Sequence, residues 1–262
     1  MTPVMAVEEP SAHSSACGPW LHRMNVAIGN FFFHYRNAFF PLVIVFVTLC
    51  TRPKVLWGDP ATDRLLTGLG AVVALLGQGV RLATIGFEYI ERGGKNKRVY
   101  ASRLVHGGVY ALTRNPMYLG NILIATGIIM VAGAPLAYGL VLPFFIFVYQ
   151  AITSAEETYL RQHFERDYEE YCAQVNRFLP SLRNVRRAFS GSRYNWKRAL
   201  RQDLSTIAGL LSGLVLLPLW RMVFLHGWDA AWVEAPRTIA LETGVGLLYA
   251  AGYFLKKSGR LT

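Results

Sequence analysis

Two short polar stretches next to a long apolar run carry the side chains of this sequence that are best suited to chemistry. The first, residues 108–120 (GVYALTRNPMYLG), places an arginine, an asparagine and tyrosines at the start of the run. The second begins with the adjacent carboxylates Glu156 and Glu157, just after the run ends. A guanidinium can clamp a carboxylate or phosphate, carboxylates accept from hydroxyl or ammonium groups, and aromatic faces hold cations or rings. The combined set therefore suits a zwitterionic, partly aromatic ligand.

The apolar run between the two stretches, residues 117–152, decides whether they meet. A helix crosses a hydrocarbon core with about 20 residues, so this run is too long for one crossing. Gly133 and Pro135 divide it into two roughly equal arms. We therefore expect a tight helical hairpin that returns the chain to its point of entry. Both polar stretches would then lie together at the open end of the hairpin.

Composition and charge favour a membrane protein over a nucleic-acid-binding one. The sequence is 53% hydrophobic, only 16% charged and has a formal net charge of +11. Its lysines and arginines lie beside apolar runs, where such residues set membrane topology and contact anionic lipid head groups. Because the charge is distributed in this way, no nucleic-acid partner is expected.

The apolar runs predict an all-α, polytopic membrane bundle of about six transmembrane helices, the hairpin included. The runs are residues 31–50, 65–87, 117–152, 204–225 and 237–255. Both termini and the basic segments 88–116 and 153–203 then fall on one side, which is expected to be cytosolic and to hold the active site. The predicted divisions are a mobile cytoplasmic tail (1–30), a membrane core (31–182), a basic linker (183–203), and two further helices with a basic tail (204–262).

A polar pair inside the second apolar run leaves two interpretations. Gln78 and Arg81 are three residues apart, hence on one face of a helix. An arginine in a membrane span is costly unless it is paired or faces a polar interior. Either Arg81 faces a cavity and a ligand, or it lies near the cytosolic end and extends its guanidinium to water.

Several common catalytic motifs are missing from the sequence. It holds no Walker A motif, no glycine-rich dinucleotide motif after a strand, no His-Glu-x-x-His and no Cys-x-x-Cys. The histidines are scattered along the chain, so no metal site is expected. The two polar stretches are therefore the best candidates for a functional site.

The order of these features resembles a known superfamily of membrane enzymes. The pattern Gly-x-Tyr…Arg-(His/Asn)-Pro-x-Tyr-x-Gly, followed by an apolar hairpin and Glu-Glu, is similar to the isoprenylcysteine carboxyl methyltransferases and phospholipid methyltransferases over about residues 65–182. These are integral membrane enzymes that use S-adenosylmethionine. The resemblance implies a methyltransferase with its cofactor at the cytosolic ends of the helices flanking the hairpin, acting on a membrane lipid or a lipidated, amphiphilic acceptor.

The resemblance also implies roles for individual residues. The implied cofactor-binding residues are Tyr110, Arg114, Asn115, Tyr118, Gly120, Glu156 and Glu157. Arg114 and Asn115 are in addition the candidate catalytic residues, and Arg81 and Arg177 are candidate contacts of the substrate. Methyl transfer from a sulfonium is an in-line displacement, so these residues would act mainly by alignment and by management of charge.

Three positions depart from the carboxyl methyltransferase pattern. Asn115 stands where histidine is usual, Gln174 where arginine is frequent, and Glu165 where glycine is usual after Phe164. The acceptor therefore stays open between a prenylated-cysteine-like carboxylate, a phospholipid head group and another amphiphile. Two other functions also stay open. One is a sterol-reductase-like enzyme that uses NADPH, whose phosphate could meet the basic loop 92–103, and the other is a non-enzymatic membrane scaffold. The sequence leaves the oligomeric state open under each of these functions.

Overall fold

The computed structural model of the chain describes residues 19–55, 58–88, 100–181, 185–189 and 193–260. No strand occurs among these residues, which are predominantly helical, and the all-α class is confirmed. The helices are α1 (Pro19–Cys50), α2 (Pro60–Phe87), α3 (Pro116–Ala132), α4 (Leu142–Gln174), α5 (Val185–Phe189) and α6 (Trp196–Lys257), with a 3₁₀ helix at Gly108–Ala111 and a π-helical turn at Ala137–Val141.

Within the described ranges, three helical segments are both long and apolar enough to cross a membrane. They are Pro60–Phe87, Ala137–Gln174 and Trp196–Lys257. The helix Pro116–Ala132 is apolar but shorter. This pattern indicates an integral membrane protein, whereas the predicted count of about six spans is not confirmed.

The predicted hairpin between the two polar stretches is present. α3 ends where Gly133 adopts a left-handed conformation with φ 60°, and the chain then turns into α4. Tyr118, at the start of α3, donates a hydrogen bond of 2.5 Å to Glu156 in α4, so the two arms run side by side. α4 also continues well beyond the apolar run that ends at residue 152, as far as Gln174.

Close approach of backbones holds α2 against α3. A Cβ atom added to Gly77 would lie 2.7 Å from the carbonyl oxygen of Gly120. A Cβ atom added to Gly70 would lie 2.8 Å from the carbonyl oxygen of Gly127. Small residues at such contacts let two membrane helices pack along their length. Because Gly70 meets Gly127 and Gly77 meets Gly120, the two helices are antiparallel.

α6 is folded back on itself at Gly227, where φ is 83° and ψ is 176°. In a straight helix, residues 212 and 242 would be about 45 Å apart. Instead Ser212 Oγ donates to Glu242 Oε2 at 2.9 Å. The first and second arms of α6, before and after Gly227, are therefore antiparallel, and they contain the predicted apolar runs 204–225 and 237–255.

A buried charged network joins α6 to α2 and α3. Arg81 forms an ion pair with Asp203, and the two side chains are 5% and 0% exposed. Gln78 Nε2 donates to Asp203 Oδ2 at 2.7 Å, and Arg81 also donates to Asn121 Oδ1 on α3. Neither interpretation offered by the sequence describes Arg81 correctly, because its guanidinium is neutralised inside the bundle rather than directed to a ligand cavity or to water.

Both ends of α2 are capped by polar groups. At its start, Asp59 accepts a hydrogen bond of 2.9 Å from the backbone N–H of Thr62. At its end, the Arg198 guanidinium donates to the carbonyl oxygens of Ile85 and Gly86 at 2.7 and 2.8 Å. Since the last carbonyls of a helix lack partners within it, Arg198 fixes the point where the chain leaves α2 towards the first polar stretch.

Two predicted boundaries differ from the observed elements. Residues 19–30, expected in the N-terminal tail, belong to α1, and Gly29 packs against the backbone of Ala151 in α4. The basic linker 183–203 contains α5 and the first turns of α6. Residues 1–18 and most of the basic loop 92–103 lie outside the described residues.

Candidate active site

The first polar stretch is attached to the chain that follows α4. After the 3₁₀ helix Gly108–Ala111, the backbone N–H of Arg114 donates to the carbonyl oxygen of Asn176 at 2.9 Å. The backbone N–H of Ser181 donates to the carbonyl oxygen of Leu112 at 2.9 Å. These bonds hold the entry to α3 beside the exit from α4, so the two stretches separated by the hairpin form one region.

Glu157 lies at the centre of this region. Its Oε1 accepts from Asn115 Nδ2 at 3.2 Å and lies 3.6 Å from Arg114 Nη2. Its Oε2 lies 3.0 Å from Arg177 Nε. Asn115 Nδ2 also donates to the carbonyl oxygen of Arg177 at 3.1 Å, which closes the arrangement. The four residues, here called the Glu157 cluster, hold two guanidinium groups around one carboxylate.

Arg114 keeps its charge in this setting. Burial is the largest influence and lowers the pKa of its guanidinium, but Glu157, Cys172 and Tyr168 together outweigh it, so the pKa is raised overall. Its Nη1 contacts the sulfur of Cys172. Its Nε is buried and finds no hydrogen-bond partner in the described part of the chain. A buried donor without a partner is costly, so this atom is a candidate ligand contact.

Glu156 makes different contacts from the adjacent Glu157. Successive residues of a helix are turned by about 100°, so the two carboxylates of the acidic pair leave α4 in different directions. Glu156 accepts the hydroxyl of Tyr118 at 2.5 Å, and the Tyr118 ring lies 5.5 Å from the ring of Tyr149. Both rings are buried in an apolar cluster with Ile152. A second carboxylate is thus held at an aromatic wall, next to the Glu157 cluster.

Tyr110 is fixed by its backbone. Its carbonyl oxygen accepts the hydroxyl of the buried Tyr171 at 2.7 Å. This bond ties the 3₁₀ helix to the last turns of α4. Tyr110 therefore lies at the edge of the region, on the side away from the hairpin turn.

The structure brings together most of the residues selected from the sequence, but two of them lie elsewhere. Gly120 and Arg81 are in contact with each other in the α2–α3 interface, where a Cβ atom on Gly120 would lie 2.6 Å from Arg81 Cγ. Gly120 thus allows close helix packing, and Arg81 is engaged with Asp203.

Sequence reasoning missed two contributors to the site. Ser154 Oγ accepts from Arg177 Nη2 at 2.8 Å, and Tyr149 supplies the second ring of the aromatic wall. The position of Ser154, one turn before Glu157 on the same helix face, is a signal that could have identified it. Tyr149 sits inside an apolar run, where a buried aromatic residue gives no such signal.

Comparison with known families identifies one family that the chain resembles. Residues 67–167 match the phospholipid methyltransferase family. The match confirms the resemblance to the membrane methyltransferase superfamily, and it includes α3 and the region from Arg114 to Glu157. Arg177 and all of α6 lie beyond it. No curated protein and no solved structure matches the chain. The family match supports a membrane methyltransferase.

Proposed function

We propose that the protein is an integral membrane methyltransferase that uses S-adenosylmethionine and methylates a lipidic acceptor on the cytosolic side. The observation that carries the proposal is the Glu157 cluster beside the Glu156–Tyr118 pair, both formed largely within the segment that matches the phospholipid methyltransferase family. Methyltransferases of that family generally use S-adenosylmethionine. The excess of lysine and arginine in the segments around the site supports the cytosolic orientation.

The side chains of the site fit this cofactor chemically. S-adenosylmethionine presents a carboxylate, an ammonium group, ribose hydroxyls and a sulfonium. Arg114 Nε is a buried donor without a described partner, which suits the carboxylate. The Glu156 carboxylate suits the ammonium group or the hydroxyls, and the rings of Tyr118 and Tyr149 suit a cation. When bound, the cofactor supplies a methyl group already activated on sulfur.

The residues of the site would then have to align the methyl donor with the acceptor. In an in-line displacement, the residues hold donor and acceptor at the right distance and balance the charge that changes place. In the proposal, Arg114 and Asn115 contact the reacting groups. Arg177 contacts the anionic end of the acceptor, and Tyr110 borders the cofactor. Asn115 donates and accepts but does not titrate near neutrality, so it moves no proton.

Glu157 is proposed to act in two ways. It is a candidate cofactor contact, and it also positions both arginines because its two oxygens face different guanidinium groups. With Arg114 and Arg177 against Glu157, the Glu157 cluster keeps one positive charge. Arg177 is the more exposed of the two arginines, so with Arg114 given to the cofactor it favours an acceptor with an anionic group, such as a phospholipid phosphate or a carboxylate.

Thermal unfolding of the detergent-solubilised protein tests the reaction class. The unfolding temperature is measured in buffer, with S-adenosylhomocysteine and with NADPH. A ligand that binds only the folded state at a hundred times its Kd adds about 2.7 kcal/mol to the free energy of unfolding. We expect an increase with S-adenosylhomocysteine alone.

Each other outcome points to another function. An increase with NADPH alone would support the sterol-reductase-like alternative, and no increase with either ligand would support the scaffold. To show that a positive result arises at the site, the same series is run on Glu156→Gln and on the control Glu169→Gln, an exposed carboxylate on the same helix. We expect the increase to shrink in the first variant and to persist in the second.

A further inference from the structure

A cavity with a mainly apolar surface and several charged side chains lies between α2 and the first arm of α6. Its volume is about 240 Å³. Its principal lining residues are Asp63, Arg64, Thr67, Arg221, Met222 and His226. None of these residues belongs to the candidate active site.

The cavity lies at the opposite end of the bundle from the Glu157 cluster. Asp63 is in the first turn of α2, whereas Arg81 is near its end, and the helical rise places them about 27 Å apart. Because α3 is antiparallel to α2, the start of α3 with Asn115 also lies at the far end. The bend of α6 at Gly227 directly follows His226, so the cavity opens where α6 turns at the edge of the bundle.

Basic side chains outnumber acidic ones in the lining of the cavity. Arg221 is 6% exposed and donates to both oxygens of Asp63 at 2.8 and 2.6 Å. It also donates to Thr67 Oγ1 at 2.7 Å. This pair uses the one carboxylate of the lining. Arg64 and His226 remain as exposed side chains at the rim. The formal charge of the lining is therefore positive.

Arg221, a lining residue of the cavity, also has one buried donor without a partner. The buried Nε of Arg221 has no hydrogen-bond partner among the described residues, although the other two nitrogens of this guanidinium are fully engaged. Buried polar groups in folded proteins are almost always paired. An anionic oxygen entering the cavity could satisfy this donor after a small shift of the Arg221 side chain.

The surroundings of the cavity are those of a membrane interface. Met222 and Leu225 line it with apolar surface. Nearby on the bend, Phe224 and Trp228 are 47% and 67% exposed. Aromatic residues of membrane proteins concentrate at the level of the lipid head groups. A ligand reaching this place would have its charged end beside Arg64 and its chain along the outer surface of α6.

We propose that this cavity binds the phosphate head group of an anionic membrane lipid in the leaflet opposite the candidate active site. Arg64 and His226 contact the phosphate from the rim, Arg221 contacts it from the interior, and Met222 and Leu225 pack against the first methylenes of an acyl chain. The inference does not depend on the proposed methyltransferase function, because it rests on other residues at the other end of the bundle.

Binding of defined lipids to the full-length protein in detergent tests the proposal. Phosphatidylglycerol, phosphatidylcholine and inorganic phosphate are titrated separately, and affinity is followed by native mass spectrometry for the lipids and by calorimetry for phosphate. We expect phosphatidylglycerol to bind more tightly than phosphatidylcholine, and phosphate to bind weakly. Arg64→Gln should lower the affinity for phosphatidylglycerol about fivefold, the effect of one cation near an anionic head group.

Matched variants separate this site from general charge effects. Arg64 is exposed, so its replacement should leave the unfolding temperature in the absence of lipid unchanged. Arg237→Gln removes the same charge from an exposed position on the second arm of α6, outside the cavity, and should leave lipid affinity unchanged. Equal loss in both variants, equal binding of both lipids, or binding of inorganic phosphate as tight as that of phosphatidylglycerol would overturn the proposal.

Discussion

Two clusters of arginine and carboxylate side chains differ in their exposure to solvent, and we assign them different roles. In the Arg81–Asp203 pair, the side chains are 5% and 0% exposed and lie where α2, α3 and α6 meet. In the Glu157 cluster, the side chains of Arg177 and Glu157 are 36% and 17% exposed and lie where the chain enters α3 and leaves α4. The closed pair can only hold helices together, whereas the open cluster can exchange a contact for one with a ligand. Between these two clusters, accessibility rather than residue type separates the stabilising Arg81 from the candidate functional Arg177.

Breaking the buried Arg81–Asp203 pair should cause the largest loss in the free energy of unfolding. Asp203→Asn leaves the buried Arg81 without its counter-charge and should lower the free energy of unfolding by about 3–5 kcal/mol, measured by denaturant unfolding in detergent. Glu234→Gln, which breaks an exposed pair with Arg237, should change it by less than about 0.5 kcal/mol. Similar small effects for both variants would contradict the assignment of Arg81 to the bundle interior.

The open cluster should respond in ligand binding more than in stability. Glu157→Gln removes the charge that positions Arg114 and Arg177, so we expect S-adenosylhomocysteine affinity to fall about tenfold, which corresponds to about 1.4 kcal/mol. The unfolding temperature without ligand should fall less than in Asp203→Asn. If the variant loses stability as severely as Asp203→Asn and keeps full affinity, the distinction between the two clusters is wrong.

The closed pair also depends on how closely α2 and α3 approach. Gly77→Ala would place a Cβ atom 2.7 Å from the carbonyl oxygen of Gly120, so it should cost about 1–3 kcal/mol in unfolding free energy. Gly79→Ala on the same helix meets no described atom within 4 Å and should stabilise the helix by up to about 1 kcal/mol. Chemical unfolding of both variants checks the sign of each change. Two changes of the same sign would argue against the close contact.

The smallest change in the free energy of unfolding is expected at the non-helical residue Glu165 of α4, which lies beyond the Glu157 cluster. Glu165 has φ 40° and ψ −114°, and it is the one described non-glycine residue with a positive φ. Glycine adopts such a conformation more easily, so Glu165→Gly should raise the unfolding free energy by about 1 kcal/mol. Glu169→Gly, at an ordinary helical position, should lower it by a similar amount. Thermal unfolding of the two variants in parallel gives the comparison, and destabilisation by both would contradict it.

Local patterns were sufficient to predict the hairpin and its consequence. The length of the apolar run, with Gly133 and Pro135 inside it, predicted that the two polar stretches meet, and Arg114, Asn115, Glu157 and Arg177 do meet. The arms of α6 were also recognisable as separate apolar runs. What the sequence did not show is that a single non-helical residue, Gly227, makes the turn between them.

Pairings between distant residues could not be predicted. Asp203 follows Arg81 by 122 residues and lies in a segment that looks like a basic linker, so nothing local marks it as the partner. Gly120 matches the superfamily pattern, but its position is explained by the approach of α2. The divergent directions of Glu156 and Glu157 depend on which partners α3 and the chain after α4 provide, which only the packed structure reveals.

Titration calorimetry with S-adenosylhomocysteine measures whether Glu156 and Glu157 form a cofactor site. The wild-type protein, Glu156→Gln, Glu157→Gln and the control Glu169→Gln are compared in the same detergent. We expect measurable binding to the wild type, unchanged affinity in Glu169→Gln, and affinity at least about tenfold weaker in each of the other two variants. Unchanged affinity in both Glu156→Gln and Glu157→Gln would contradict the assignment of the acidic pair to the cofactor site.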